Sequence, residues 1–177
     1  MKKSHRSIAV GGTGLLLLVA LYFALTARGL AQYDSNYRVI MGTFSRVVVL
    51  AESEKLAAGC AEAAFAEQRR VDALMSTYKE NSEISRVNRE AFERPVQVSD
   101  ATFEVVQRAV HFSELSDGAF DVTVGPLVDL WRAVGQADQP PSEAALADAR
   151  GRVGYEKLIL DENARTIRFA VEGMKLD

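Results

Sequence analysis

The chain has 177 residues, 48% hydrophobic and 25% charged, with a formal charge of −3, which is the make-up of one ordinary globular domain able to bury a core. Residues 1 to 31 hold Lys2, Lys3, Arg6 and Arg28 and no acid, so the rest carries 17 bases against 24 acids, a net of −7; nucleic acid is not an expected partner. The single cysteine, Cys60, excludes an internal disulfide, a Cys-x-x-Cys pair and a Cys/His zinc set.

Lys2, Lys3 and Arg6 precede an uncharged run at residues 8 to 25, and Gly29-Leu30-Ala31 follows, the order of a secretory signal. Cleavage after Ala31 fits a small-x-small preference. As a helix, however, the run would be about 27 Å long, enough to span a bilayer. Residues 1 to 31 are therefore expected to be a signal peptide or a membrane anchor. The basic end should stay in the cytoplasm and place everything after Gln32 outside it.

Residues 37 to 50, YRVIMGTFSRVVVL, are rich in β-branched and aromatic side chains and read as a strand with a bulge or close approach at Gly42. A helix is predicted over residues 53 to 78. Its apolar face would be Leu56, Cys60, Ala63, Val71, Leu74, Met75 and Tyr78, making Cys60 a small core residue. Residues 81 to 94 are polar and read as a loop or short turns, and residues 95 to 98 as a short strand. Ser99 is the N-cap of a helix over residues 100 to 116 that buries Phe103, Val106, Val110 and Leu115, with Gly118 as a left-handed C-cap. His111 lies beside that stripe as a partly exposed helix histidine. The other histidine, His5, belongs to the leader, so no catalytic dyad can be drawn.

Pro140-Pro141-Ser142 marks another helix start, with residues 143 to 150 helical and Gly151 or Gly154 as the stop. Residues 158 to 160 and 166 to 171 form a hairpin around the polar turn at 161 to 165. A new element opens at Met174 and ends with Asp177, which reads as a truncated fold.

Four blocks occur in order: Met41-Gly42-Thr43; Met75-Ser76-Thr77-Tyr78 with residues 82 to 88, SEISRVN; residues 118 to 128, GAFDVTVGPLV, running on to Trp131; and Val153-Gly154-Tyr155. On these blocks the sequence resembles the ApbE family of FAD:protein FMN transferases over about residues 37 to 177. The resemblance implies an α+β, T-fold-related mixed sheet with packed helices, incomplete at its C-terminus, with residues 32 to 177 as the N-terminal part of the transferase domain. It also implies transfer of FMN from FAD to a threonine or serine of an exported or membrane target, with release of AMP and dependence on a metal, usually Mg2+. Expected targets are subunits of redox-driven ion pumps or other exported flavoproteins, at the periplasmic side of a bacterial inner membrane or in the periplasm. An older label tied the family to thiamine biosynthesis, a weaker reading.

By the same resemblance Tyr78 stacks on the isoalloxazine, Met41 lies against FAD, and Ala119, Phe120, Asp121 and Asp177 contact it. On chemistry alone an aromatic face suits a flat ring, a thioether adapts to one, and small residues expose backbone groups to a ligand. Without the family, Tyr78 and Met41 would read as core residues and Gly118 to Asp121 as a helix-capping loop. The family's metal ligands fall in motifs that this sequence does not contain. The alternative to a transferase is an inactive membrane-tethered module that binds flavin or a partner chain.

Overall fold

The computed structural model describes residues 29–134 and 140–177, so the expected leader lies, up to residue 28, outside the described residues. Among the described residues no helix is long and apolar enough to cross a membrane. The fold is mixed α and β, and the chain divides into two compact units, Met1–Glu67 and Gln68–Asp177.

In the first unit, β1 (Ala31–Ile40) and β2 (Thr43–Ala51) form an antiparallel hairpin. The sequence predicted one strand here with a bulge at Gly42. The structure instead turns the chain at Met41 and Gly42, whose φ angles of 56° and 71° are the pattern of a two-residue type I′ turn. The bulge sits further back, between Asp34 and Tyr37. Side chains alternate across the ribbon. One face carries the buried Ser35 and Ile40, and the helix that follows, α1 (Glu54–Met75), buries Ala57, Ala61 and Phe65. Arg38 of β1 lays its guanidinium 4.1 Å from the Phe65 ring centroid and pairs with Glu62. The other face leaves Tyr37, Val39, Phe44, Val48 and Leu50 exposed. There Arg46 pairs with Asp34, and its hydrogen bonds hold the Asp34 carboxyl below its usual range.

The expected apolar face of α1 is corrected: Leu56, Cys60 and Ala63 are exposed. This stretch is rich in alanine all round, so composition barely distinguishes its faces, and Phe65 decides which one packs. Ala57 and Ala61 precede it at four-residue spacing on the same face.

In the second unit, α2 (Glu83–Glu90) occupies the segment predicted as loop or turns. Its apolar content is only Ile84 and Val87, with Ala91 after it, but these fall on one face and all are buried. Ser82 caps it by accepting from the Ser85 N–H at 3.0 Å. Next come β3 (Val96–Gln97) and α3 (Asp100–Leu115), capped by Ser99 as expected. Phe103 and Val106 are buried, whereas Leu115 is 69% exposed, because the last turn of α3 puts the fully buried Ser113 inward and Leu115, two residues on, lies on the other side of the helix. Asp117 and Gly118 both take positive φ as the chain leaves the helix. The block from Gly125 forms α4 (Gly125–Val134), with Pro126 in its first turn where no helical donor is lost. Then follow α5 (Glu143–Gly151), β4 (Leu158–Asp161) and β5 (Thr166–Phe169). The sheet order is β3-β5-β4, all antiparallel. Its core gathers Ile84, Val87, Phe103, Val106, Ile167 and Met174, among others.

Candidate functional site

The site-bearing loop of the second unit is built around Asp121 and Thr123. Oδ1 of Asp121 accepts from the Thr123 N–H at 2.7 Å and from its hydroxyl at 2.6 Å, while Oδ2 accepts from the Tyr155 N–H at 2.9 Å. The Thr123 hydroxyl, fully buried, in turn accepts from the Gly154 N–H at 2.8 Å. This ties the third sequence block to the fourth. It also fixes the start of α4, where Gly125 lies so close to Lys175 that an added Cβ would stand 2.6 Å from the lysine Cβ and 2.7 Å from its carbonyl oxygen.

Lys175 pairs with Val124 as an isolated parallel bridge, and the N–H of Asp177 donates to the Val122 carbonyl at 3.1 Å. From the other side Asn88 holds the same segment. Its Nδ2 donates to the Leu176 carbonyl at 3.0 Å, and its Oδ1 accepts from the Leu176 N–H at 2.8 Å. The side-chain amide thus stands in for a neighbouring strand.

Between these elements opens a cleft of about 280 Å³, whose wall includes Thr77, Tyr78, Arg89, Arg132, Lys175 and Asp177. Tyr78 stands 80% exposed just beyond α1. The Arg132 guanidinium lies 5.2 Å from the centroid of its ring, and Nη2 of Arg132 is 3.7 Å from Oδ1 of Asp177. The Thr77 hydroxyl is 3.4 Å from that same oxygen. Lys175 pairs with Asp129 at 2.5 Å. Three cations therefore face the cleft beside three acids, Glu80, Asp129 and Asp177, and an aromatic face borders it. Such a surface can take a flat ring and an anion together.

Of the site residues expected from sequence, Tyr78 and Asp177 meet at this cleft. Ala119 and Phe120 are exposed on the loop after α3, and Asp121 turns its carboxylate to Thr123 and Tyr155, where it shapes the loop. Met41 lies 53% exposed at the hairpin turn of the first unit. Arg89, Arg132 and Lys175 went unread in the sequence, since no spacing links them and only the fold makes them neighbours. Among the described residues no group of three or more His, Cys, Asp or Glu is placed to hold a metal ion. Asp177 is shared by Arg132 and Thr77, and Asp129 pairs with Lys175, so the cleft carboxylates do not form a magnesium site.

Glu83, at the start of α2, is the titratable group whose setting stands out in this unit. Burial pushes its carboxyl up, but hydrogen bonds from Thr102 and from the hydroxyl and N–H of Ser99 outweigh burial and hold it below its ordinary value.

Residues 41–177 match the family described as the ApbE family. The chain belongs to the ApbE family. An FAD:protein FMN transferase of Klebsiella pneumoniae is 36% identical over 129 residues, 71% of this chain and 37% of the relative. One from Vibrio cholerae is 42% identical over 91 residues, half of this chain and 27% of the relative. Among solved structures, the ApbE protein of Thermotoga maritima superposes with a TM-score of 0.73 at 29% identity, covering 83% of this chain and 47% of that one. The flavin transferase ApbE from Vibrio cholerae does so with a TM-score of 0.70 at 30% identity, covering 84% and 48%. The chain thus spans less than half the length of these ApbE relatives.

Proposed function

We propose that this chain contributes the flavin-stacking wall of an FAD:protein FMN transferase. The observation that carries the reading is the convergence of Tyr78, Arg132 and Asp177, from three distant parts of an ApbE-family sequence, on one cleft with an open aromatic face and walls that set three cations beside three acids. Tyr78 would stack on the isoalloxazine, and Arg89, Arg132 and Lys175 would offset the charge of the diphosphate. Ala119, Phe120, Asp121 and Met41 complete the proposed flavin contacts. In the reaction a target threonine or serine oxygen bonds to the FMN phosphorus as the diphosphate P–O bond breaks. AMP leaves, and the hydroxyl proton passes to solvent or to the released phosphate. Mg2+ would be the metal, with its ligands in the family motifs that this sequence does not contain.

Residues 32 to 177 are proposed to be the N-terminal part of the transferase domain, and residues 1 to 31 a signal or anchor that places it on the periplasmic side of a bacterial inner membrane or in the periplasm. Its partner would be an exported flavoprotein, such as a subunit of a redox-driven ion pump. The test is to incubate the chain with FAD, Mg2+ and a threonine-bearing acceptor protein and follow AMP release and acceptor-bound flavin fluorescence. Metal-dependent release of AMP with labelled acceptor supports transfer. Flavin affinity without AMP supports the alternative of a binding module, and neither signal defeats both.

A further inference from the structure

We infer that Arg132 is a positioning residue for the flavin-stacking tyrosine, an inference that rests on the flavin reading of this cleft. Tyr78 is 80% exposed on the bend that leaves α1, where packing alone does little to hold its ring. A ring free to rotate must be ordered when a ligand stacks on it, and that ordering weakens binding. The Arg132 guanidinium, 5.2 Å from the ring centroid, braces the ring through its electron-rich face. The brace is itself held. Asp177 draws Arg132 from 3.7 Å, the Thr77 hydroxyl lies 3.4 Å from the same carboxylate oxygen, and the Asp177 N–H is fixed to Val122. A tyrosine ring has two faces; the guanidinium occupies one and leaves the other for a planar ligand, so a bound flavin would complete an arginine–tyrosine–flavin stack.

The experiment titrates the whole chain and the variants R132Q, R132K and Y78A with riboflavin and with FAD, following flavin fluorescence. Riboflavin has no phosphate, so it reports the ring alone. R132Q is expected to bind both flavins about two- to five-fold more weakly, the scale of an exposed cation–π contact, and to quench flavin fluorescence less at saturation. R132K, which keeps the cation, should recover most of the loss. The melting temperature of R132Q should match that of the unaltered chain, because the side chain is half exposed. If R132Q binds riboflavin as the unaltered chain does, whether or not FAD is weakened, the inference is overturned and Arg132 at most serves the phosphates. If Y78A binds both flavins unchanged, or the unaltered chain binds neither, the flavin reading falls and takes the role of Arg132 with it.

Discussion

The core of the second unit and the open ribbon face of the first handle apolar side chains in opposite ways. In the second, helices α2 and α3 and the sheet β3-β5-β4 close over Val87, Phe103 and Ile167, each 1% exposed or less. In the first, the ribbon β1-β2 turns one face toward solvent with Tyr37, Val39 and Phe44 each more than two-thirds exposed, and its order comes from ladder hydrogen bonds and the Arg46–Asp34 pair. The same residue type therefore contributes differently by place. Burial of Phe103 in the second unit and of Phe65 in the first carries stability, whereas the identical ring of Phe44 on the open ribbon face adds little.

The sharpest break of that contrast is a pair of truncations. Phe103→Ala should cost the second unit about 3–5 kcal/mol, whereas Phe44→Ser should stay within about 0.5 kcal/mol, both read by urea unfolding. Comparable losses would show that the exposed ribbon face is not a bystander. Next in size is Gly125→Ala, whose methyl would run into the Lys175 backbone. It should destabilise by about 1–3 kcal/mol and weaken flavin binding as well, since Lys175 and Asp177 move with that backbone; a thermal melt and a riboflavin titration measure the two effects.

Glu83→Gln should come third. Because the folded carboxyl titrates below its ordinary value of 4.5, its contribution is full above that value and is lost as pH falls through the lowered one. The variant should be less stable by about 1–2 kcal/mol at pH 7, and the gap should narrow only once pH falls below 4.5 and close below the lowered folded value. A gap that persists in acid would mean the charge is irrelevant. The smallest effect belongs to the first unit. Met41 has a φ of 56°, which costs a side-chain-bearing residue about 1 kcal/mol. Met41→Asn should recover part of that in melting temperature and, if Met41 touches flavin, lower flavin affinity.

Much of the fold was legible where a capping residue and a strong period coincide, as at Ser99 before Phe103 and Val106, at Ser142 before α5, and in the hairpin from Leu158 to Phe169. It failed where signals were thin. Helix α2 offers two apolar residues in eight, and its cap, Ser82, lies in a run of polar residues that reads equally well as a loop. Cys60 was placed inside because an alanine-rich helix gives little direction until Phe65 is seen to face inward. For the cleft, Tyr78 and Asp177 came from the family blocks and do meet. Arg132 and Lys175 escaped notice because they become neighbours of Tyr78 and Val124 only through tertiary pairing, which no local pattern records.

The double grip of Asn88 on Leu176 joins residues 88 apart in the chain, and the Thr77 to Asp177 contact joins residues 100 apart. Contacts so distant in sequence form late, since a long loop must close before they give anything back. Synthesis adds a clock to this. At roughly 5–20 residues per second, about 5 to 20 seconds separate the making of Tyr78 from the making of Asp177. Throughout that interval the nascent chain carries the Tyr78 ring without the cleft that Lys175, Leu176 and Asp177 help to line, so a ligand of that cleft can bind only after this segment has docked.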